Sequence, residues 1–221
     1  MTELLRCLEI GPGADADGAV VWLHGLGASG HDFEDVVPMF ELPRVRFVLP
    51  HAPSRGVTIN MGLIMPAWYD IVSLGGRGAE DEVDVRESAA QVAALVDRER
   101  ERGVPSGQIV LAGFSQGGAL ALHVGTRYSE KLGGILVLSG YEVLADTREV
   151  EQTDANRATP MLFCHGSLDP LVGVHRGREA HGAHASGRDA QWREFPIEHE
   201  VSLEEIEAIR AWLKALFGKI A

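Results

Sequence analysis

The segment at residues 109–121 constrains the fold more than any other part of this sequence. An apolar run of strand length at 109–112 is followed by the pentapeptide GFSQG at 113–117 and then by the small residues of a helix. A serine between glycines at a sharp strand-to-helix turn is typical of a nucleophile elbow, where larger flanking side chains would clash. The pattern predicts that Ser115 presents its hydroxyl at a helix N-terminus, where an oxyanion is stabilised. A structural turn without chemistry is the alternative, and the flanking strand and helix disfavour it.

The rest of the chain predicts a mostly parallel sheet that carries helices on both faces. Helical patterns alternate with apolar runs of strand length, which lie at 20–23, 45–49, 109–112, 135–138 and 161–164. Continuous apolar strands separated by amphipathic helices are typical of the α/β class. A chain of 221 residues with 45% hydrophobic residues can fill one core, so we expect a single domain over residues 1–221. Ligands of such sheets bind beyond the carboxyl ends of the strands.

The composition predicts a cytoplasmic protein that binds no nucleic acid and has no integral membrane segment. The formal net charge is −12 and the arginines are scattered, so phosphate backbones and anionic lipids would be repelled. The uncharged stretch at 103–126 is interrupted by Pro105, polar residues and glycines, which disfavours a membrane span. The sequence has two cysteines, Cys7 and Cys164, and its N-terminus lacks the cationic flank of a secretory signal.

An acid is predicted at Asp169, in the sequence HGSLDP at 165–170. This residue follows the apolar run at 161–164, which brings it to the same edge of the sheet as Ser115. An aspartate before a proline is also typical of an Asx turn, and this interpretation stays open. As an acid, Asp169 would orient an imidazole and stabilise the imidazolium.

The predicted base is His199. In hydrolases with such an elbow the base follows both the nucleophile and the acid in the chain. His199 lies between an alternating strand at 191–195 and the last helix, whose start is marked by Ser202 and Glu205 in a capping-box pattern. Five other histidines follow Ser115. His123 lies within the helix after the elbow, and His165 lies before the acid. The other three lie on a polar stretch where exposure is expected, and they are His175, His181 and His184.

Backbone amides for an oxyanion hole are predicted in the glycine-rich sequence HGLGASG at 24–30. This segment follows the strand at 20–23. The Leu26 N–H, paired with the Gln116 N–H, would supply the two donors that acyl transfer needs. An ordinary strand-to-helix turn is an equally good interpretation of the segment taken alone.

Two other groupings are interpreted as structural. His181 and His184 are three residues apart, but no carboxylate or cysteine joins them at a recognisable interval, so no metal site is expected. Cys164 beside His165 would suggest a thiol nucleophile. Adjacent strand residues point to opposite faces, however, so we expect Cys164 to be a buried structural cysteine.

Taken together, the motifs resemble one known family across nearly the whole chain. The sequences LHGLG at 23–27, PAWYD at 66–70, GFSQGG at 113–118 and HGSLD at 165–169, together with His199, resemble the acyl-protein thioesterase, phospholipase and carboxylesterase family, especially its bacterial carboxylesterases. The resemblance implies an α/β-hydrolase fold without a large cap domain and a reaction without a cofactor. It also implies cleavage of carboxylic esters or thioesters with short to medium acyl chains.

Carried over position by position, the resemblance implies a role for each site residue. Ser115 would be the nucleophile, Asp169 the acid and His199 the base, with Leu26 and Gln116 as the oxyanion donors. In family members the loop before the PAWYD motif helps to form the acyl groove. The groove would be lined here by Leu63, Ile64, Met65 and Trp68, with Leu171 and Val172 on the opposite side.

One departure from the family pattern lies beside His199. Many family members have a small residue just before this histidine, whereas here Glu198 precedes it and Glu200 follows it. We predict that Glu198 changes the pH dependence of the rate. A Glu198 side chain turned to solvent is the alternative.

The leading interpretation is a serine hydrolase that cleaves carboxylic esters through an acyl-enzyme on Ser115. An acyl-protein thioesterase, another acyl thioesterase or a lysophospholipase would use the same triad, because ester and thioester cleavage share one tetrahedral intermediate. A serine peptidase of the same fold and a binding module without turnover are more distant alternatives. The expected partner is a small or lipid-like acyl ester, or an acylated protein. The apolar segment at 61–68 fits an acyl groove or a homodimer contact, so the oligomeric state stays open.

Overall fold

A seven-stranded sheet lies at the centre of the molecule. The computed structural model describes residues 4–73 and 79–218. The strands in these residues are β1 (Cys7–Ile10), β2 (Gly18–Leu23), β3 (Val45–Pro50), β4 (Ser54–Val57), β5 (Leu63–Pro66), β6 (Ile109–Phe114), β7 (Gly134–Leu138), β8 (Met161–Gly166) and β9 (Ala190–Phe195). The central sheet has the order β1-β3-β2-β6-β7-β8-β9, and β4 pairs with β5 in a separate hairpin. Its neighbours run parallel except β1, which is antiparallel to β3, so the predicted mostly parallel sheet is confirmed.

Helices cover both faces of this sheet. They are α1 (Glu82–Glu101), α2 (Gln116–Arg127), α3 (Arg148–Glu151), α4 (Val174–His184) and α5 (Leu203–Phe217). Because successive strand residues point to opposite faces, Val21 packs in the cluster of Val92 from α1, whereas Trp22 packs in the cluster of Ile209 from α5. Helices α1, α2 and α4 therefore lie on one face. Helix α5 lies on the other, with the 3₁₀ turns Gly30–Phe33 and Val37–Phe40.

Two helix starts are fixed by capping side chains. Helix α1 begins after Asp81, whose carboxylate accepts a hydrogen bond from the Asp84 N–H at 3.0 Å. Helix α5 begins after Ser202, whose hydroxyl accepts one from the Glu205 N–H at 3.2 Å. Such caps satisfy N–H groups that the first helical turn leaves without partners. Because α5 begins at residue 203, His199 stays in the loop before it.

The predicted site residues lie at one edge of the sheet, where the parallel strands end. The turn after β2 contains Leu26, the elbow after β6 contains Ser115, and the loops after β8 and β9 contain Asp169 and His199. The carboxyl ends of parallel strands meet at the same edge, so segments far apart in sequence become neighbours. Within the described residues, no separate domain covers this edge, and no helix is long and apolar enough to span a bilayer.

Candidate active site

Ser115 lies in a strained turn between β6 and α2. Its backbone has φ 55° and ψ −119°, a conformation that side chains with a Cβ rarely adopt. The flanking glycines are required, because a Cβ on Gly113 would collide with the Gly117 carbonyl group and a Cβ on Gly117 with the Leu23 carbonyl oxygen. The Ser115 N–H is held by the Leu138 carbonyl at 2.8 Å. The turn therefore has the geometry of a nucleophile elbow and fixes the Ser115 side chain at the helix N-terminus.

A continuous hydrogen-bonded chain links Ser115, His199 and Asp169. The Nε2 atom of His199 lies 2.9 Å from the Ser115 Oγ, and its Nδ1 lies 2.6 Å from Asp169 Oδ2. Since a carboxylate only accepts, Nδ1 carries the proton and Nε2 is free to accept the serine hydroxyl proton. The Asp169 side chain is fully buried, and the His199 ring packs against Phe114 with ring centroids 4.8 Å apart. The structure thus brings the three predicted residues together in the predicted order.

The Asp169 carboxylate makes hydrogen bonds both within its own turn and to His199. Its Oδ1 accepts hydrogen bonds from the Leu171 N–H at 2.9 Å and the Val172 N–H at 2.8 Å, while Oδ2 faces His199. The two interpretations of this residue are therefore compatible, since one oxygen closes an Asx-type turn and the other is left for the imidazole. The buried His165 supports the same turn, because its Nε2 lies 2.8 Å from the Val172 carbonyl oxygen. Burial lowers the pKa of His165, which favours its neutral form.

The two predicted oxyanion donors flank Ser115. Residues 25–28 form a tight turn, in which the Ala28 N–H donates to the Gly25 carbonyl at 3.2 Å and Gly27 has a φ of 75°. Neither the Leu26 N–H nor the Gln116 N–H donates a hydrogen bond to any part of the chain that the structure describes. Both residues line the same cavity as Ser115. The geometry therefore leaves two main-chain donors available beside the nucleophile.

Trp68 does not line the groove, and its predicted place in the acyl site is wrong. Its side chain has no solvent exposure. The indole N–H donates to the His24 carbonyl at 2.8 Å, and the Trp68 backbone N–H donates to Gln116 Oε1 at 2.8 Å. An indole that is buried needs a partner for its N–H, and this one finds it in the core beneath the oxyanion turn.

A cavity of about 790 Å³ opens onto Ser115. Of the predicted groove residues, Leu171 and Val172 line it. Sequence reasoning missed most of the other lining residues, among them Phe33, Val36, Phe114, Tyr141, Arg176 and Val201. Phe114 could have been found, because it lies inside the elbow pentapeptide. The others come from segments that carry no motif, and only the fold brings them to the cavity.

The remaining predicted groove residues lie on the β4–β5 hairpin. Leu63 is 58% exposed and Ile64 is 78% exposed. Met65 is half-buried beside the oxyanion turn, where its Sδ accepts a hydrogen bond from Asn60 Nδ2 at 3.4 Å. The structure does not bring these three side chains into the cavity lining.

One end of the cavity is charged and aromatic. The Arg176 guanidinium stacks over the Tyr141 ring, 3.8 Å from its centroid, and donates to Glu80 at 3.4 Å. The Tyr141 and Tyr69 hydroxyls lie 2.9 Å apart. Burial raises the pKa of Glu80. This end of the cavity is therefore preorganised by a partly buried ion pair, while the wall nearer Phe33 is apolar.

Two of the other histidines downstream of Ser115, His181 and His184, have structural partners. The expectation that His184 is exposed is wrong, because the residue is buried and its Nε2 lies 2.9 Å from Glu142 Oε1. His181 is half-buried, with Nε2 3.0 Å from the Ala190 carbonyl oxygen, and His175 is exposed. Among the described residues, no group of three or more histidine, cysteine, aspartate or glutamate side chains is arranged to hold a metal ion.

Two buried titratable groups lie behind the edge that carries the triad. Cys164 packs in the core on the α5 face, opposite to His165, and burial raises the pKa of its thiol well above the ordinary value. Glu205 is buried in the first turn of α5, and burial raises its pKa to about 7. Neither group contacts Ser115, so neither enters the acyl-transfer chemistry directly.

A serine, histidine and aspartate relay at a nucleophile elbow, on a mostly parallel sheet with helices on both faces, defines a serine hydrolase of the α/β-hydrolase fold. The chain belongs to the phospholipase/carboxylesterase family, whose model matches residues 7–217. It is therefore an enzyme of the class that hydrolyses ester and thioester bonds.

Relatives and solved structures agree with this placement. Acyl-protein thioesterase 1 of Gibberella zeae is 38% identical over 208 residues, 88% of each chain. The protein of the same name from Neurospora crassa is 36% identical over 215 residues, 91% of this chain and 88% of the relative. Arabidopsis thaliana SOBER1 has a TM-score of 0.84 at 31% identity and covers 90% of this chain and 98% of its own. Zea mays acyl-protein thioesterase 2 has a TM-score of 0.85 at 27% identity, covering 96% and 99%.

These four proteins come from fungi and plants. The family-level prediction is confirmed by the match, which spans nearly the whole chain. The finer resemblance to bacterial carboxylesterases stays a prediction.

Proposed function

We propose that this protein hydrolyses carboxylic esters of short to medium acyl chains through an acyl-enzyme on Ser115. The observation that carries the proposal is the hydrogen-bonded chain from Ser115 through His199 to Asp169, which opens into a cavity. A serine hydroxyl is a weak nucleophile at neutral pH, and an adjacent oriented base is what activates it.

Each step of the proposed reaction uses one part of this arrangement. His199 Nε2 takes the hydroxyl proton as the Ser115 Oγ attacks the acyl carbon. The carbonyl oxygen becomes an oxyanion that accepts from the N–H groups of Leu26 and Gln116. The tetrahedral intermediate then expels the alcohol or thiol, which takes the proton from His199. Water attacks the acyl-enzyme by the same route and releases the acid, while Asp169 stabilises the imidazolium in both halves.

An acyl thioesterase is the second candidate, and the relatives favour it. Two proteins more than a third identical to this chain are named acyl-protein thioesterase 1. The apolar cavity wall at Phe33, Val36 and Val201 suits an acyl chain, which ester, lysophospholipid and acylated-protein substrates all contain. Since esters and thioesters pass through the same tetrahedral intermediate, the triad itself does not rank the two leaving groups.

We also infer the setting in which the enzyme works. The family match over residues 7–217 supports one domain over residues 1–221. The net charge of −12 supports a protein that binds no nucleic acid, and the two unpaired cysteines support a reducing, cytoplasmic compartment. The relay supplies nucleophile, base and oxyanion donors from the protein itself, so we propose catalysis without a cofactor. The oligomeric state stays open between a monomer and a homodimer, and sedimentation of the wild type would decide it.

Initial rates test the proposal. Wild type and Ser115→Ala are compared on p-nitrophenyl esters of increasing chain length and on matched acyl-CoA thioesters. Turnover by wild type that is lost in Ser115→Ala is expected, and the series then ranks ester against thioester. A fluorophosphonate should label wild type and leave Ser115→Ala unlabelled. Absence of both turnover and labelling would contradict the proposal and favour the binding-module interpretation.

A further inference from the structure

Residues 66–69, the 66–69 bridge, connect the two halves of the predicted oxyanion hole. On one side, the Pro66 carbonyl accepts a hydrogen bond from the Gly27 N–H at 2.8 Å. On the other side, the Gln116 side-chain amide is held twice, because its Oε1 accepts from the Trp68 N–H at 2.8 Å and its Nε2 donates to the Tyr69 carbonyl at 2.7 Å. A single short segment therefore holds the residue after Leu26 and the side chain of the other donor residue.

The Trp68 side chain adds a third connection. Its indole N–H donates to the His24 carbonyl at 2.8 Å. His24 is fixed in turn, because its Nε2 accepts from the Ala52 N–H at 3.0 Å and its Nδ1 then donates to the Gly25 carbonyl at 2.7 Å. Burial lowers the pKa of His24 and keeps it in the neutral form that this pattern requires. Trp68 thus holds the His24 carbonyl, and the His24 ring holds the carbonyl of Gly25, which directly precedes Leu26.

The bridge is itself anchored in the core. The Ala67 N–H donates to the Pro53 carbonyl at 2.9 Å, and Arg55 Nε donates to the Ala67 carbonyl at 3.0 Å. The Ser88 hydroxyl, which projects from α1, donates to the Trp68 carbonyl. Trp68 has no solvent exposure. These hydrogen bonds therefore tie the bridge to the core, and the bridge in turn connects the core to both oxyanion turns.

The sheet alone does not fix the separation of the two donors. In the β2–β6 pairing, Leu23 is opposite Gly113, and both Leu26 and Gln116 lie beyond the ends of the paired strands. A main-chain N–H cannot be re-aimed by a change of rotamer, so the two turns must be held relative to each other. A displacement of about 1 Å in a catalytic arrangement can cost about 100-fold in rate.

We propose that Trp68 is a positioning residue for the oxyanion hole. Through the 66–69 bridge it holds the N–H groups of Leu26 and Gln116 toward one point beside the Ser115 hydroxyl. The inference rests on the proposed acyl-transfer function. It assigns to Trp68 a task in transition-state stabilisation and none in contacting the acyl chain.

The test is Trp68→Phe, which keeps an aromatic ring and removes the indole N–H. We expect kcat on a p-nitrophenyl ester to fall about 10- to 100-fold with KM within about threefold of wild type, because oxyanion donors act in the transition state. A boronic acid forms a tetrahedral adduct with the nucleophilic serine, and its inhibition constant should rise by about the same factor as kcat falls. A merely structural role would lower the unfolding temperature without this split between kcat and KM.

Trp22→Phe is the matched control. Trp22 is as buried as Trp68 and loses the same atoms, but its indole N–H donates no hydrogen bond within residues 4–73 and 79–218. We expect the variant to lose stability through its cavity while kcat stays within about threefold of wild type. Ser88→Ala is a second test that leaves the indole in place, and a smaller fall in kcat, about 3- to 10-fold, is expected with KM again little changed.

Two results would overturn the inference. One is a Trp68→Phe enzyme whose kcat and affinity for the boronic acid match those of wild type. The other is a Trp22→Phe enzyme whose kcat and boronic acid affinity fall as much as those of Trp68→Phe. If Trp68→Phe does not fold, Ser88→Ala decides, and an unchanged kcat in that variant counts against the bridge. Failure of the proposed function looks different, because wild type itself would then neither hydrolyse esters nor react with a fluorophosphonate.

Discussion

The acid–base half of the site and its oxyanion half are built in different ways. In the acid–base half, the side chains of Asp169 and His199 carry the proposed function, and direct hydrogen bonds of 2.6 and 2.9 Å orient them. In the oxyanion half, the proposed donors are main-chain N–H groups of Leu26 and Gln116, and buried side chains one layer deeper hold them. A side-chain function is visible in the identity of the residue that performs it, whereas a main-chain function depends on its neighbours.

This difference determines which substitutions are informative. Replacing Asp169 or His199 changes the functional group itself. Replacing Leu26 by almost any residue leaves its N–H in place, so only proline, or a change in the supporting layer, tests the donor.

Asp169→Asn should give the largest loss. We expect kcat to fall about 10⁴-fold, because an amide in place of the carboxylate favours the wrong imidazole tautomer and leaves the imidazolium without its counter-charge. The Asn oxygen can still accept from the Leu171 and Val172 N–H groups, so the turn is kept. Initial rates on a p-nitrophenyl ester measure the loss of kcat, and thermal unfolding serves as the control for an intact fold. A loss below about tenfold would mean that Asp169 has only its turn-forming role.

Leu26→Pro should give the next largest loss. Position 26 precedes Gly27, whose φ is 75°, and proline is favoured at this place in such a turn. The substitution therefore removes the N–H while keeping the backbone shape, and kcat should fall about 10²- to 10³-fold. Leu26→Ala, which keeps the N–H, is the matched control and should retain a kcat within about tenfold of wild type. Equal rates for the two variants would show that this N–H is not an oxyanion donor.

The same contrast explains what the sequence predicts and what it does not. The parallel sheet and the positions of Ser115, Asp169 and His199 follow from the sequence, because apolar strands, turn glycines and strand-end polar residues are local signals. The acyl cavity does not follow in this way. The sequence predicts Trp68 in the lining of the acyl groove, yet the residue is fully buried and donates hydrogen bonds to Gln116 and His24, which lie far away in the chain. Arg176 and Tyr141 carry no motif, and their pairing at the cavity end exists only in the folded protein.

Glu205→Gln tests a carboxyl group behind the acid–base half. Burial raises the pKa of Glu205 to about 7, from an ordinary value of 4.5. The contribution of this group to stability is therefore complete below pH 4.5 and is lost as the pH rises through 7, because the folded state resists ionisation. At pH 8 we expect Glu205→Gln to have a higher free energy of unfolding than wild type by about 1–3 kcal/mol, with the two nearly equal at pH 4.

Urea unfolding at pH 4, 6 and 8 measures this effect. Glu204→Gln is the matched control, since Glu204 is exposed in the same helical turn. The control should show no comparable pH-dependent gain. If Glu205→Gln raised the free energy of unfolding equally at pH 4 and pH 8, the gain would not come from the raised pKa of the buried Glu205. Unchanged kcat at pH 7 would place Glu205 outside the catalytic step of the acid–base half.

Glu198→Gly should have the smallest effect, although this residue adjoins the base. The Glu198 side chain is exposed and makes no hydrogen bond or ion pair with the described residues, so its charge acts on His199 through solvent. Such an interaction is screened within about 10 Å at 0.1 M salt. The exposed side chain favours the alternative of a Glu198 turned to solvent over the predicted change in pH dependence, so we expect kcat/KM between pH 5 and 9 to change by less than about threefold. The profile is measured at low and high ionic strength, with Glu198→Gln to separate the loss of charge from the added backbone freedom of glycine. A large change in kcat/KM that appears in both variants and persists at high salt would mean that Glu198 turns toward His199. The acid–base half would then contain two carboxylates next to the imidazole, Asp169 and Glu198, in place of Asp169 alone.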